Sequence, residues 1–136
     1  WFYLKVGADI CGFYGTPTPD LCRRWFQLGA YYPFSRSHNN QGEHDQDPGY
    51  WAENGHPEVT KAVVDALRTR YQLLHYLYTL FYRSNTIGGT VARPVHHEFP
   101  RDSAARNIDE QFFLGPSVMV CPFLNAVSNT FINVVI

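Results

Sequence analysis

The stretch Leu4 to Phe34, LKVGADICGFYGTPTPDLCRRWFQLGAYYPF, sets the fold class. Its first ten residues, Leu4 to Phe13, form an apolar run broken by Gly7 and Gly12, the pattern of a buried strand that ends in a tight turn. A helix start follows Gly15. Thr18 stands where a capping oxygen is needed, Pro19 takes the first helical position, and Asp20 lies in the first turn, near the positive end of the helix dipole. Leu21, Cys22, Trp25 and Leu28 recur at helical spacing, and Gly29 is a natural stop. Ala30 to Phe34 then reads as a second strand. Strand, helix, strand is the rhythm of an α/β layer with parallel strands.

Working outward, the polar stretch Ser35 to Asp47 (SRSHNNQGEHDQD) reads as a loop. Pro57 and Glu58 open a long helix whose apolar positions Val59, Val63, Ala66, Leu67, Leu74, Leu77 and Phe81 trace one face. It is expected to run to about Thr86 and stop at Gly88-Gly89, a rod of roughly 45 Å. Beyond it the helix alternation is lost. Thr90 to Glu98, Gln111 to Leu114 and Ser117 to Phe123 read as short strands between polar turns. The expected partition is therefore an α/β part over residues 1–89 and a β-rich module over 90–136. Two βα units alone neither close a barrel nor cover both faces of a sheet.

Composition narrows the function classes. Hydrophobic residues make up 45% and charged residues 17%, which excludes a disordered acidic chain. The net charge is −1 with Lys and Arg scattered, so no basic stripe exists to hold phosphates, and nucleic acid is not an expected partner. The apolar runs are too short to span a membrane. Trp1 to Lys5 lacks the basic start and cleavage region of a signal peptide. Because the sequence opens without methionine, directly in a strand pattern, a piece of a longer protein is the expectation. Cys11, Cys22 and Cys121 are an odd set, so they do not all pair within one chain. Cys11 and Cys22 bracket a loop and one helical turn. They are either a disulfide, worth about 3 kcal/mol by loop closure, or two buried thiols.

In parallel α/β architectures, ligands bind beyond the carboxyl ends of the strands. Asp9 and Phe13 belong to the end of the first strand; Arg36 and His38 follow the second. A carboxylate, an aromatic plate, a guanidinium and an imidazole on one rim are the chemistry of a sugar site. Hydroxyls take hydrogen bonds from such groups, and C–H faces stack on the ring. Each also has a plainer reading: Asp9 bonding turn amides, Phe13 in the core, Arg36 paired with Asp45 or Asp47, and His38 an exposed loop residue. Metal readings are weaker. His44, Asp45, Asp47 and His56 cluster in a solvated turn, and Asp45-x-Asp47-x-Gly49 lacks the glutamate of a calcium loop. His96-His97-Glu98 reads as extended, which sends neighbouring side chains to opposite faces. No G-x-S-x-G elbow is present for a serine triad.

The runs GADICGF (Gly7 to Phe13), LCRRWFQLGAYYPFSRSHN (Leu21 to Asn39), QDP (Gln46 to Pro48), RYQLLHYLYTLFYR (Arg70 to Arg83), ARPVHHEFP (Ala92 to Pro100) and QFFLGPSVMVCPFL (Gln111 to Leu124) occur in the order of a known pattern. They resemble the late barrel of family 31 glycoside hydrolases, the α-glucosidases of maltase-glucoamylase and sucrase-isomaltase type. The resemblance implies the C-terminal portion of a (β/α)8 TIM barrel, from strand seven to helix eight, followed by the start of a β-rich domain. It implies that His38 hydrogen-bonds the glucosyl unit under attack, that Phe13 lines the same pocket, and that Asp9 lies on the same rim. It also implies a disulfide between Cys11 and Cys22.

Such enzymes hydrolyse terminal α-linked glucose from maltose-type oligosaccharides with retention, through two carboxylates and without metal or organic cofactor. Both carboxylates lie on earlier strands in the family, and no D-M-N-E-type segment occurs here. The resemblance therefore implies part of a glucose site without a catalytic residue, and an isolated chain that is inactive or at most binds carbohydrate weakly. An extracellular or luminal location goes with it. Ser37 departs from the family asparagine, and His96 is unusual beside His97-Glu98. Trp1 to Lys5 and the tail Asn125 to Ile136 (NAVSNTFINVVI) fall outside the likeness.

Overall fold

A computed structural model describes residues 6–125 and 133–135, the last three through their backbone alone. The chain divides into two compact units, one of residues 7–73 and one that takes up the chain from Leu74.

In the first unit, strand β1 (Asp9–Ile10) pairs in parallel with β2 (Arg36–Ser37), Asp9 opposite Arg36 and Ile10 opposite Ser37. Helix α1 (Pro19–Gly29) connects them. Its start follows the local chemistry. Thr18 Oγ1 accepts the Leu21 N–H at 3.2 Å, and the Asp20 carboxylate receives Arg23 at 2.7 Å and Arg24 at 3.0 Å. Those guanidinium hydrogen bonds, Arg23 first, outweigh desolvation and hold the Asp20 carboxyl below its ordinary pKa. Gly29 lets the helix lie against the sheet: a Cβ there would sit 2.4 Å from Ile10 Cδ1.

The parallel pairing agrees with the α/β reading, but the second strand begins later than Ala30 to Phe34. Those residues leave α1 through tight turns, with the Tyr31 N–H bonded to Leu28 O and the Tyr32 N–H to Gly29 O. Pro33 has no N–H to give a ladder. The Arg70 guanidinium takes the carbonyls of Ala30 (2.7 Å), Tyr32 (2.6 Å) and Pro33 (3.4 Å) that a strand would need.

Two further helices complete this unit, α2 (Pro48–Glu53), capped by Asp47, and α3 (Pro57–Gln72). They close a core of Ile10, Cys11, Cys22, Phe26, Trp51, Val59 and Val63. Each of its large side chains contributes on the order of 1.5–3 kcal/mol by burial. The expected single rod from Pro57 to Thr86 is instead two helices, α3 and then α4 (Leu74–Ile87). Between them the Leu73 N–H is shared by the Thr69 and Arg70 carbonyls, a three-centre bond of the kind that tightens a helix end.

In the second unit, α4 buries Leu77 and Leu80. An antiparallel sheet follows in the order β3 (Ala92–Pro94), β4 (Phe112–Leu114), β5 (Val118–Cys121), β6 (Asn133–Val135). Gly115 closes β4 at φ 57°, where a Cβ would lie 2.4 Å from Leu80 Cδ2 and 2.6 Å from the Tyr76 hydroxyl. That hydroxyl donates to Leu114 O at 2.7 Å, tying α4 to β4. Thr90 to Glu98 is only partly strand. After Pro94 the chain coils into the short helix α5 (Val95–Glu98), whose Val95 is buried with Ala105 and Phe113. His96 and His97 are thus helical, not extended. Burying Val95 and pairing Glu98 with Arg93 favour the coil. The tail set apart by the sequence reading contributes β6, whose Val135, Val134 and Asn133 stand opposite Met119, Val120 and Cys121. No helix among the described residues is long and apolar enough to cross a membrane.

Candidate functional site

The carboxyl ends of β1 and β2 carry the residues singled out by sequence. Their parallel register sets Asp9 beside Arg36, and the Arg36 guanidinium donates to Asp9 Oδ1 at 2.7 Å. Arg36 also lies over the Phe34 ring, 5.3 Å from its centroid, which fixes the planar group from a second side. Both members of the pair retain solvent access, with Arg36 49% and Asp9 27% exposed. The Asp9 side chain therefore pairs across the strands and does not cap turn amides; the turn bond there is backbone, Gly12 N–H to Asp9 O at 3.0 Å. Nor does Arg36 use Asp45 or Asp47. Asp47 caps α2 through its Oδ1, which accepts from the Gly49 N–H at 2.8 Å.

Phe13 reaches the same rim by a left-handed turn. Cys11 has φ 75° and Gly12 φ 92°, and Cys11 is disulfide-bonded to Cys22 on α1. A non-glycine residue in that region is uncommon and costs on the order of 1 kcal/mol, so the covalent tie holds a turn that the side chain alone disfavours. Past it, the half-buried Phe13 ring lies 5.3 Å from the exposed His38 ring at 41°, and meets Tyr14 edge-on at 4.7 Å. The Phe13 carbonyl accepts the Asn40 N–H at 2.9 Å, which fastens the loop carrying His38 back onto the turn.

Ser37 bridges the strands, its hydroxyl donating to Ile10 O at 3.3 Å. Behind them the buried Gln46 amide donates to Gly12 O at 3.2 Å. Gln46, Asn40 and Arg70 were not singled out from sequence. Each acts through a backbone contact 27 or more residues away, and nothing local announces it.

Asp9 and Arg36 thus meet across the strands, and Phe13 and His38 meet just beyond the strand ends. The carboxylate is charge-paired, so it serves as an oriented acceptor. The imidazole is free to face solvent with an aromatic plate beneath it. Such a rim offers a polyhydroxylated ring one acceptor, one donor–acceptor and one apolar wall. The other histidines behave differently: His56 pairs with Glu58 at 3.3 Å, and His96 and His97 meet edge to face at 5.3 Å. Among the described residues no cluster of His, Cys, Asp and Glu is arranged to hold a metal ion.

Comparison with known proteins finds relatives along most of the chain. Residues 3–80 match the model of the glycosyl hydrolases family 31 TIM-barrel domain, and residues 88–135 that of the glycosyl hydrolase family 31 C-terminal domain. The second match runs through the tail that the sequence reading set apart. Human intestinal sucrase-isomaltase is 48% identical over 125 residues, covering 92% of this chain and 7% of its own length. Human probable maltase-glucoamylase 2 is 51% identical, over 88% of this chain and 5% of its own. Mouse lysosomal alpha-glucosidase is 46% identical, over 88% and 12%. Among solved structures, the family 31 alpha-glucosidase of Bacteroides thetaiotaomicron superposes with a TM-score of 0.79 at 36% identity. That match covers 89% of this chain and 20% of the other. The chain therefore spans a small fraction of the proteins it matches, across the junction of a TIM-barrel domain and the domain that follows it.

Proposed function

The chain belongs to glycosyl hydrolase family 31, and from that premise we propose that it carries one rim of the glucose site of a retaining exo-α-glucosidase acting on maltose-type oligosaccharides. His38 and Asp9 take the hydroxyls of the terminal glucose, and Phe13 is the apolar wall behind its C–H face. The observation that supports this reading is the Phe13–His38 ring contact, made by residues that follow the two parallel strands, together with the Asp9–Arg36 pair across those strands. A charge-paired carboxylate suits sugar binding, since it keeps its lone pairs directed without the mobility of a free side chain.

The nucleophile and the acid/base lie outside these 136 residues, as does the rest of the barrel, and no metal or organic cofactor takes part. The junction of the two domains falls at Gly88-Gly89, with the barrel portion at 1–89 and the β-rich portion at 90–136. A luminal or extracellular setting is supported by the Cys11–Cys22 disulfide and by relatives named as intestinal or lysosomal.

Titration of the chain with maltose, followed by NMR, tests the site. Shifts centred on His38, Phe13 and the Asp9–Arg36 strands are expected, with affinity at least tenfold weaker in His38→Ala. Unchanged affinity in that variant would remove His38 from the site and with it the reading of this rim.

A further inference from the structure

Among the described residues, Gln46 is the one polar residue that is buried, 4% exposed. We propose that Gln46 is a positioning residue, which sets Phe13 against His38 by holding the peptide that precedes Phe13. Its effect on sugar binding rests on the glucose-site reading of the rim; its effect on the Phe13–His38 contact does not.

Each carbonyl lies in a rigid peptide plane, and the two planes on either side of a Cα set that residue's φ and ψ. At Phe13 both planes are held. The Gly12 carbonyl accepts the Gln46 side-chain amide at 3.2 Å, and the Phe13 carbonyl accepts the Asn40 N–H at 2.9 Å. With both held, the direction in which the Phe13 side chain leaves the backbone is set, and with it the 5.3 Å contact to the His38 ring. The Asn40 bond comes from the backbone of the His38 loop and moves with that loop. Gln46 is anchored elsewhere. Its neighbour Asp47 caps α2, its Oδ1 accepting the Gly49 and Tyr50 N–H groups at 2.8 and 3.3 Å, and Trp51 of that helix is buried in the core. The turn has no such stiffness of its own, since Gly12, at φ 92°, belongs to the residue type least restricted in φ and ψ. Gln46 thus refers a permissive turn to a packed helix. The Asn39 side-chain amide, next to His38, donates to the His44 carbonyl at 2.6 Å, so the two ends of the loop are held to each other as well.

An amide is a poor choice for filling this space alone. Gln46 Oε1 is covered and accepts from no donor among the described residues, which detracts from stability. Gly12 keeps partial solvent access, so burial alone does not demand a protein donor for it. A methionine of the same length would fill the space without a covered, unbonded oxygen. What the amide adds is direction.

The test uses the full chain with two substitutions. Gln46→Met keeps the length and removes the donor; Gln46→Asn keeps the amide and withdraws it toward the backbone. The readouts are the Phe13–His38 contact by nuclear Overhauser effects without ligand, maltose affinity by NMR titration, and the urea midpoint. The expected result is loss of the ring contact in both variants and maltose affinity about tenfold weaker, as a small displacement of a binding group produces. The midpoint of Gln46→Met is expected to equal the parent's or exceed it. A residue that only packs the core would instead lower the midpoint and leave the ring contact intact in the folded protein. That outcome overturns the proposal, and so does failure of both variants to fold. A parent chain that shows the ring contact and binds no maltose discards the glucose-site reading, while loss or retention of the contact in the variants still decides the role of Gln46.

Discussion

At the scale of single residues, the rim depends on a backbone conformation that its own side chain disfavours. Cys11 occupies the left-handed region immediately before Gly12, and the bond to Cys22 ties that turn covalently to α1. Both cysteines are buried, so the sulfurs also fill the core between β1 and α1. In Cys22→Ala the loop-closure term disappears while Cys11 keeps its strained φ. The expected loss is about 3 kcal/mol, measured by urea unfolding. The Phe13–His38 contact loosens with it, since Phe13 is positioned by this turn. A variant as stable as the parent chain would show that packing alone holds the turn. Asp9 and Arg36 illustrate the converse, a contact fixed by strand register and not by a local bond. The sequence placed both on the rim but left their partners open, because register is a property of two strands and neither segment contains it.

At the scale of elements, what was legible followed local chemistry. Helix α1 reads directly from its Thr18 cap, Pro19 and Gly29, all short-range signals. The parallel order of β1 and β2 follows from the helix between them. The extent of β2 was not legible. Ala30 to Phe34 is apolar and β-prone, yet it is turn, because Arg70, about 40 residues on, takes three of its carbonyls. The break at Leu73 has no proline or glycine to mark it, and the helical coil at Val95–Glu98 is too short for periodicity to detect. Arg70 thus decides where the strand carrying the His38 loop begins. Burial draws its pKa below the ordinary arginine value, which leaves it still charged. In Arg70→Lys the single ammonium cannot span three carbonyls in the geometry of the guanidinium fork. The expected cost is about 2 kcal/mol in chemical denaturation, with maltose affinity at the rim reduced as β2 shifts. Equal stability of the two proteins would make Arg70 dispensable to this turn.

At the scale of the whole molecule, retaining hydrolysis sets a geometric requirement against which the proposal of a rim without its catalytic pair is tested. The chemistry needs two carboxyl groups about 5–5.5 Å apart on either side of the bond. At the rim, Asp9 has its charge neutralised by Arg36 at 2.7 Å, which favours an oriented acceptor over a nucleophile. Asp47 is spent capping α2, and Asp20 is held by two arginines at the start of α1. A rim that binds one face of a glucose through three groups must also offset the loss of translational and rotational freedom. Its affinity for maltose is then on the order of 1 mM. Binding and turnover should therefore separate. The purified chain is expected to hydrolyse a chromogenic α-glucoside no faster than its His38→Ala variant, while maltose shifts the rim NMR signals of the parent chain at concentrations at least tenfold lower than it needs in the variant. Adding a polypeptide that carries the family's two catalytic carboxylates on the earlier barrel strands should raise turnover with the parent chain, and less with His38→Ala. Hydrolysis by the chain alone, lost in the His38 variant, would mean that the 136 residues assemble a complete site and that one of the carboxylates just accounted for is a catalyst.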